Sequence, residues 1–161
     1  MANHPLSGLV SAAHTWLHAF EPDDLSELDS GQLVLSTKLS EDFRPAITLA
    51  ANEPTEVIAG YGILKTTEDL IPVLIQRRHA QNTAFVWGIS LDASPVALGL
   101  ASASDAFGKL IPGADAMGVK VQAGSDKWWL IVNPQGKNIA VPLDDGQLRT
   151  EARFTVRNKS E

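Results

Sequence analysis

The alternation of large apolar residues with small or polar ones is clearest over residues 71–92. The large apolar residues are Phe85, Trp87, Ile89 and Leu91, and the smaller or polar residues that alternate with them are Ala84, Val86, Gly88 and Ser90. A period of two indicates a half-buried antiparallel strand, and the large set predicts its core face. An apolar run at 73–75 precedes this strand, with the turn residues Gln81 and Asn82 between them. The stretch therefore predicts a hairpin with a basic tip.

The same period predicts further short strands along the chain. Alternation covers residues 33–39, 118–123, 137–141 and 152–157. Short stretches bounded by turn residues, without that alternation, predict strands at 47–50, 55–58 and 97–100, and the continuous apolar run at 128–132 predicts another. The turn residues at 133–136 predict that 128–132 and 137–141 form a second hairpin, and Asp144-Asp145-Gly146 predicts another turn. Glycines on both sides of Tyr61 predict a bend or bulge at 60–62.

Residues 5–20 fit two structures. Apolar residues recur there at steps of three and four, which indicates a helix, but Gly8 and Thr15 weaken that pattern. Alternation of Thr15 and Leu17 with Trp16 fits a strand equally well. In either case the sequence Glu-Pro-Asp-Asp at 21–24 predicts the end of the segment.

About nine short strands with at most one N-terminal helix predict an all-β domain, an antiparallel β-sandwich rather than a closed barrel. The length of 161 residues fits a single domain spanning 1–161. No window approaches the roughly 20 apolar residues of a membrane helix, so we expect a soluble chain and no membrane partner.

Composition excludes several functions. The absence of cysteine excludes disulfides, zinc ribbons and thiol nucleophiles. A net charge of −6 argues against a nucleic-acid partner, because phosphate binding needs clustered Lys and Arg. No signal peptide is visible, and the compartment stays open, with a periplasmic or secreted location expected if the chain is a fragment.

The candidate chemistry is limited to a few polar and aromatic residues. His14 and His18 are four apart, the spacing that lets two imidazoles share a structural metal, although Thr15 stands where the zinc-protease pattern has glutamate. The tip residues Arg77, Arg78 and His79 form a cationic edge for an acidic sugar. A partly exposed histidine pair and a solvated hairpin tip are the simpler explanations.

Aromatic residues offer a platform on which sugar rings could stack. Tyr61 lies between two glycines, and Trp128 and Trp129 must point to opposite faces of one strand. We therefore expect one of the two tryptophans in the core and the other at the surface. Trp87 is assigned to the core because its neighbours on the same face are large and apolar.

The order of these features resembles the C-terminal β domain of the heparinase II/III-like polysaccharide lyases, which include alginate lyases. The matching segments are Thr-Trp-Leu-His at 15–18, Pro-Val-Leu-Ile-Gln-Arg-Arg at 72–78, Phe-Val-Trp at 85–87 and the stretch at 129–137. The resemblance implies a uronate-containing polysaccharide as partner and a catalytic α/α-toroid as a neighbouring domain or subunit. His18 corresponds to a family histidine near a structural metal, but Thr15 replaces the expected aspartate.

Three functions follow in order of preference. The first is an accessory β domain of a polysaccharide lyase, supporting or binding its acidic substrate through Arg77, Arg78, His79, Tyr61, Trp128 and Trp129. The second is an independent carbohydrate-binding module. The third is a small self-contained enzyme that uses His14, His18 or His79; no spacing of a nucleophile and a base supports it.

Overall fold

The computed structural model describes residues 21–28, 30–36, 43–63, 70–91 and 94–158. Every regular element in these residues is a β-strand, and the eight strand pairs whose register the structure defines are antiparallel, which confirms the predicted all-β class. The described residues form thirteen strands, more than the nine or so expected for the chain. They are β1 Glu21–Leu28, β2 Gly31–Ser36, β3 Ala46–Ala51, β4 Thr55–Ile63, β5 Leu70–Arg77, β6 Val86–Ser90, β7 Ala97–Ser102, β8 Ser104–Asp105, β9 Met117–Ala123, β10 Asp126–Val132, β11 Ile139–Leu143, β12 Gly146–Thr150 and β13 Phe154–Asn158.

The strands form four sheets in two compact units. The first unit is built around sheet I, with the order β1-β4-β5. The second unit, Leu28–Thr55 with Arg78–Glu161, contains sheet II (β2-β3-β6), sheet III (β13-β10-β9-β7) and sheet IV (β12-β11-β8). The single domain expected from the chain length stays a prediction.

The hairpin predicted at 71–92 is wrong, because its two arms belong to different sheets. Strand β5 pairs with β4, and strand β6 pairs with β3. The connection at 78–85 is longer than the roughly two to five residues that usually close a hairpin. It carries the chain from sheet I to sheet II.

The hairpin predicted from 128–132 and 137–141 is wrong for a similar reason. Strand β10 pairs with β9 and β13 in sheet III, whereas β11 pairs with β12 and β8 in sheet IV. The turn itself is present: the amide of Gly136 donates to the carbonyl of Asn133 at 2.9 Å. The fully buried amide of Asn133 also donates to the carbonyls of Lys137 at 2.8 Å and Ala152 at 3.3 Å. This network turns the chain between sheets.

The bend or bulge predicted at 60–62 is wrong. The segment 5–20, whose end was predicted at 21–24, lies outside the described residues. Residues 21–24 lie in β1, where Pro22 is tolerated because β1 is an edge strand of sheet I. Strand β4 runs straight through 60–62, with Gly60 opposite Val73 and Gly62 opposite Ile71. Pairing on both sides of β4 overrides the tendency of glycine to bend a strand.

Sheet III is the middle layer of the second unit. On one face, Trp129 and Ile131 of β10 pack with Ile139 and Val141 of sheet IV. Gly118 permits this approach, since a Cβ there would lie 2.5 Å from Cγ1 of Val141. The other face packs on sheet II through a second apolar cluster of Ala50, Val86, Leu98, Met117, Val119 and Leu130. The predicted sandwich packing of antiparallel sheets is therefore confirmed.

Candidate functional site

The cationic residues predicted at a hairpin tip have different environments. Arg77 ends β5, is partly exposed and pairs through Nε with the carboxylate of Glu56 on β4. His79 is exposed in the connection that follows. Arg77 and His79 therefore remain candidates for contact with an acidic ligand, although Arg77 would have to share its charge with Glu56.

The side chain of Arg78 is only 3% exposed, in contrast to the solvated tip that the sequence indicated. Its Nε donates to Oγ1 of Thr55 at 2.6 Å, and its Nη1 donates to Oγ1 of Thr83 at 3.0 Å and to the carbonyl of Ala84 at 2.9 Å. The guanidinium also lies 5.1 Å from the ring centroid of Phe85, a cation–π distance. Arg78 thus fastens Thr55 to the connection that leads into β6.

The charge of Arg78 is weakly compensated among the described residues. Its nearest carboxylate oxygen is Oε2 of Glu53, 3.7 Å from Nη1, and Glu53 is itself about half exposed. Nη2 is buried and has no hydrogen-bond acceptor among the described residues. A buried guanidinium held in this way is a structural residue, so the substrate-binding hypothesis is corrected at this position.

Trp128 and Trp129 lie on opposite faces of β10, as expected for neighbours in a strand. Trp129 is 8% exposed and packs in the cluster between sheets III and IV. Trp128 is partly exposed and stands between Val121 of β9 and Asn158 of β13. Of this pair, only Trp128 can offer part of its ring to a ligand.

Of the remaining predicted site residues, the structure describes only the backbone of Tyr61. The backbone of Tyr61 lies in the middle of β4, opposite Pro72. His14 and His18 lie outside the described residues. In the part of the chain that the structure describes, no three His, Asp or Glu side chains are grouped so that they could hold a metal ion, and no helix could span a membrane.

The prediction that the large residues of β6 form a core face is wrong. Phe85, Trp87, Ile89 and Leu91 are 43–73% exposed, whereas Val86 and Gly88 face the interior of the second unit. Gly88 explains why this face of β6 points inward, because a Cβ at position 88 would collide with Cγ2 of Val96. Sheet II and strand β7 approach too closely at this point to accept a large side chain.

The outward residues of β6 border an apolar groove in the second unit. Residues 84–89 line one side, including the inward Val86 and Gly88 as well as the outward Trp87 and Ile89. Sheet III supplies Leu130, Val132 and Phe154 on the other side. The cavity volume is about 480 Å³, and none of the described residues that line it is charged. Only Trp87 among the lining side chains has a hydrogen-bonding group. The groove is therefore suited to apolar contact rather than to recognition of a charged or hydroxyl-rich ligand.

Sequence reasoning missed this groove. Phe154 and Trp87 both belonged to predicted strands, but Trp87 was assigned to the core from its large apolar neighbours and no contact was predicted for Phe154. The available signal was Gly88, since a glycine inside a strand often marks a close backbone approach and thus identifies the inward face.

Comparisons with family models, curated proteins and solved structures found no match to this chain.

Proposed function

We propose that this chain is a non-catalytic, accessory β domain of a polysaccharide lyase that acts on uronate-containing polysaccharide of the alginate or heparin type. The observation that supports it best is the apolar groove between Trp87 and Phe154. An open apolar surface of this kind is typical of a face that another protein domain covers. The resemblance to heparinase II/III-like lyases supplies the class of that domain, an α/α-toroid.

The chemistry of the groove favours protein over sugar as its occupant. Uronate recognition needs hydrogen-bond donors and cations around the ring, and the lining offers the single indole N–H of Trp87. Aliphatic and aromatic side chains of a neighbouring domain need neither. In this proposal the groove joins the β domain to the catalytic domain, and polysaccharide contact is a separate task.

Polysaccharide contact in this proposal falls to Arg77 and His79. The side chain of Arg77 is 23% exposed and is paired with Glu56. His79 is exposed. Long-range attraction between these residues and a polyuronate should weaken as salt is added, because exposed charges are screened within about 10 Å at 0.1 M.

The test measures unsaturated uronate formed from alginate and heparan-type substrates. The isolated chain should form none, and its addition to a uronate-lyase toroid that lacks its own β domain should raise the yield. Ile89→Asp, which places a charge at the groove, should abolish that increase. Gln147→Asp, on the exposed side of β12, is the matched control and should preserve it. Product formation by the isolated chain, or an increase insensitive to Ile89→Asp, would contradict the proposal.

An independent carbohydrate-binding module is the second candidate, and the 45% exposure of Trp87 favours it. An exposed indole on a strand can stack on a sugar ring. Binding to neutral oligosaccharides that is lost in Trp87→Ala and kept in Arg77→Ala would support this alternative. The accessory-domain proposal expects no such binding.

A further inference from the structure

Strand β13 forms one edge of sheet III. It pairs with β10 on one side, and no strand of the described part of the chain pairs with its other side. Phe154 and Val156 point to the same face, at 58% and 54% exposure, beside Val132 and Leu130 of β10. The edge therefore combines exposed backbone with an exposed apolar face.

Two other edge strands contain a residue that discourages further pairing, whereas the edge strands β2, β6, β7 and β12 have no proline. Proline lacks the amide hydrogen that a sheet ladder needs, and natural edge strands often carry it. Pro22 lies in β1 and Pro72 in β5, the two edges of sheet I. In β11, Pro142 lies beyond the residues that pair with β8. Strand β13, with the sequence Phe-Thr-Val-Arg-Asn, has no proline, lysine or bulge, and its one charged residue, Arg157, is paired with Asp145 at 3.1 Å.

The sequence of β13 is compatible with pairing to itself. Two antiparallel copies related by a two-fold axis at Val156 place Val156 opposite Val156, Phe154 opposite Asn158, and Thr155 opposite Arg157. No like charges face each other in this register. It also keeps both copies of Phe154 and Val156 on the same face of the joined sheet, whereas a shift by one residue would reverse one copy.

We propose that this chain forms a symmetric dimer in which β13 of one copy pairs antiparallel with β13 of a second copy, centred on Val156. The pairing joins two copies of sheet III into one continuous sheet. It extends the apolar face that continues into the groove, and it uses Val156, which does not line the groove. The dimer is independent of the lyase assignment.

The test is a charge exchange at position 156. Sedimentation should give the unmodified chain twice its mass of 17.3 kDa, and Val156→Lys or Val156→Glu should each give 17.3 kDa, since like charges then meet at the axis. An equimolar mixture of the two variants should restore the doubled mass. The position is exposed, so both variants should unfold at the same denaturant concentration.

A cysteine at the axis gives a second measurement, because the chain contains no native cysteine. Val156→Cys should become a disulfide-linked dimer within minutes of mild oxidation. Arg157→Cys on the same strand and Gln147→Cys on β12 should cross-link at least tenfold more slowly, since neither meets its own copy. A monomeric unmodified chain, or a dimer that persists in Val156→Lys, would refute the proposal.

Discussion

The two faces of sheet III are built from alternate residues of the same strands, but one face is covered more completely than the other. On the side of sheet IV, Ile131 and Val141 are fully buried, and Gly118 lets the two sheets approach closely. On the side of sheet II, Leu130 is only partly buried and Val132 remains 37% exposed. One face is closed by its own chain and the other is left open along a groove.

Because of this difference in burial, we expect the closed face mainly to stabilise the fold and the open face to be available for contact with a partner. Apolar burial contributes to folding roughly in proportion to the area removed from water, so the closed face should carry most of the stability of the second unit. The open face contributes less to the isolated chain, and its remaining apolar area is available to stabilise a complex. Adjacent residues on one strand can therefore be compared as probes of the two roles.

The largest loss in the free energy of unfolding is expected for Ile131→Ala, a substitution on the closed face. Ile131 has no exposed surface, and truncation of such a residue costs about 2–5 kcal/mol because a cavity replaces lost contacts. Val132→Ala, the next residue on β10, should cost about 1 kcal/mol or less because its side chain is already partly hydrated. Urea denaturation of both variants measures the difference. Equal losses would show that the open face is as important for folding as the closed one.

An intermediate effect is expected where sheet II meets sheet III at Gly88. The Cβ of Gly88→Ala would collide with Cγ2 of Val96, and overpacking of this kind costs about 1–3 kcal/mol. Gly99→Ala on β7 is the matched control, since its Cβ would meet nothing closer than Cβ of Lys120 at 3.6 Å. The control should change the free energy of unfolding by less than about 1 kcal/mol. A harmless Gly88→Ala would imply that the two sheets can separate to admit a methyl group.

The sequence predicts the strands well and their partners poorly. The period of two identifies several strands, including β6, β9 and β13, because a half-buried strand requires alternation. Pairing depends on contacts between distant residues, which local patterns do not contain. Both predicted hairpins are therefore connections between sheets, while the turn predicted at Asp144 and Asp145 does close the hairpin of β11 and β12.

The candidate site was harder to predict than the strands. Arg78 has the residue type of a ligand-binding cation, yet three hydrogen bonds hold it inside the second unit. Their acceptors are two threonine hydroxyls and one carbonyl, groups that give no signal as arginine partners in a sequence. Phe85 and Trp87 are residue types that usually lie in a core. They face outward because the opposite face of β6 meets Val96 at Gly88, where a larger side chain does not fit.

The smallest change in the free energy of unfolding is expected for Ile89→Ser, and it tests directly which face of β6 is exposed. Ile89 is 59% exposed, so Ile89→Ser should lower the free energy of unfolding by no more than about 0.5 kcal/mol. If the large residues of β6 formed the core face, the same substitution would bury a hydroxyl in a cavity and cost several times more. Urea denaturation of Ile89→Ser beside Ile131→Ser, the same exchange on the closed face, makes the comparison independent of residue type. A similar loss of stability in both variants would show that Ile89 is packed in a core. That result would contradict the exposed apolar surface on which the accessory-domain proposal depends.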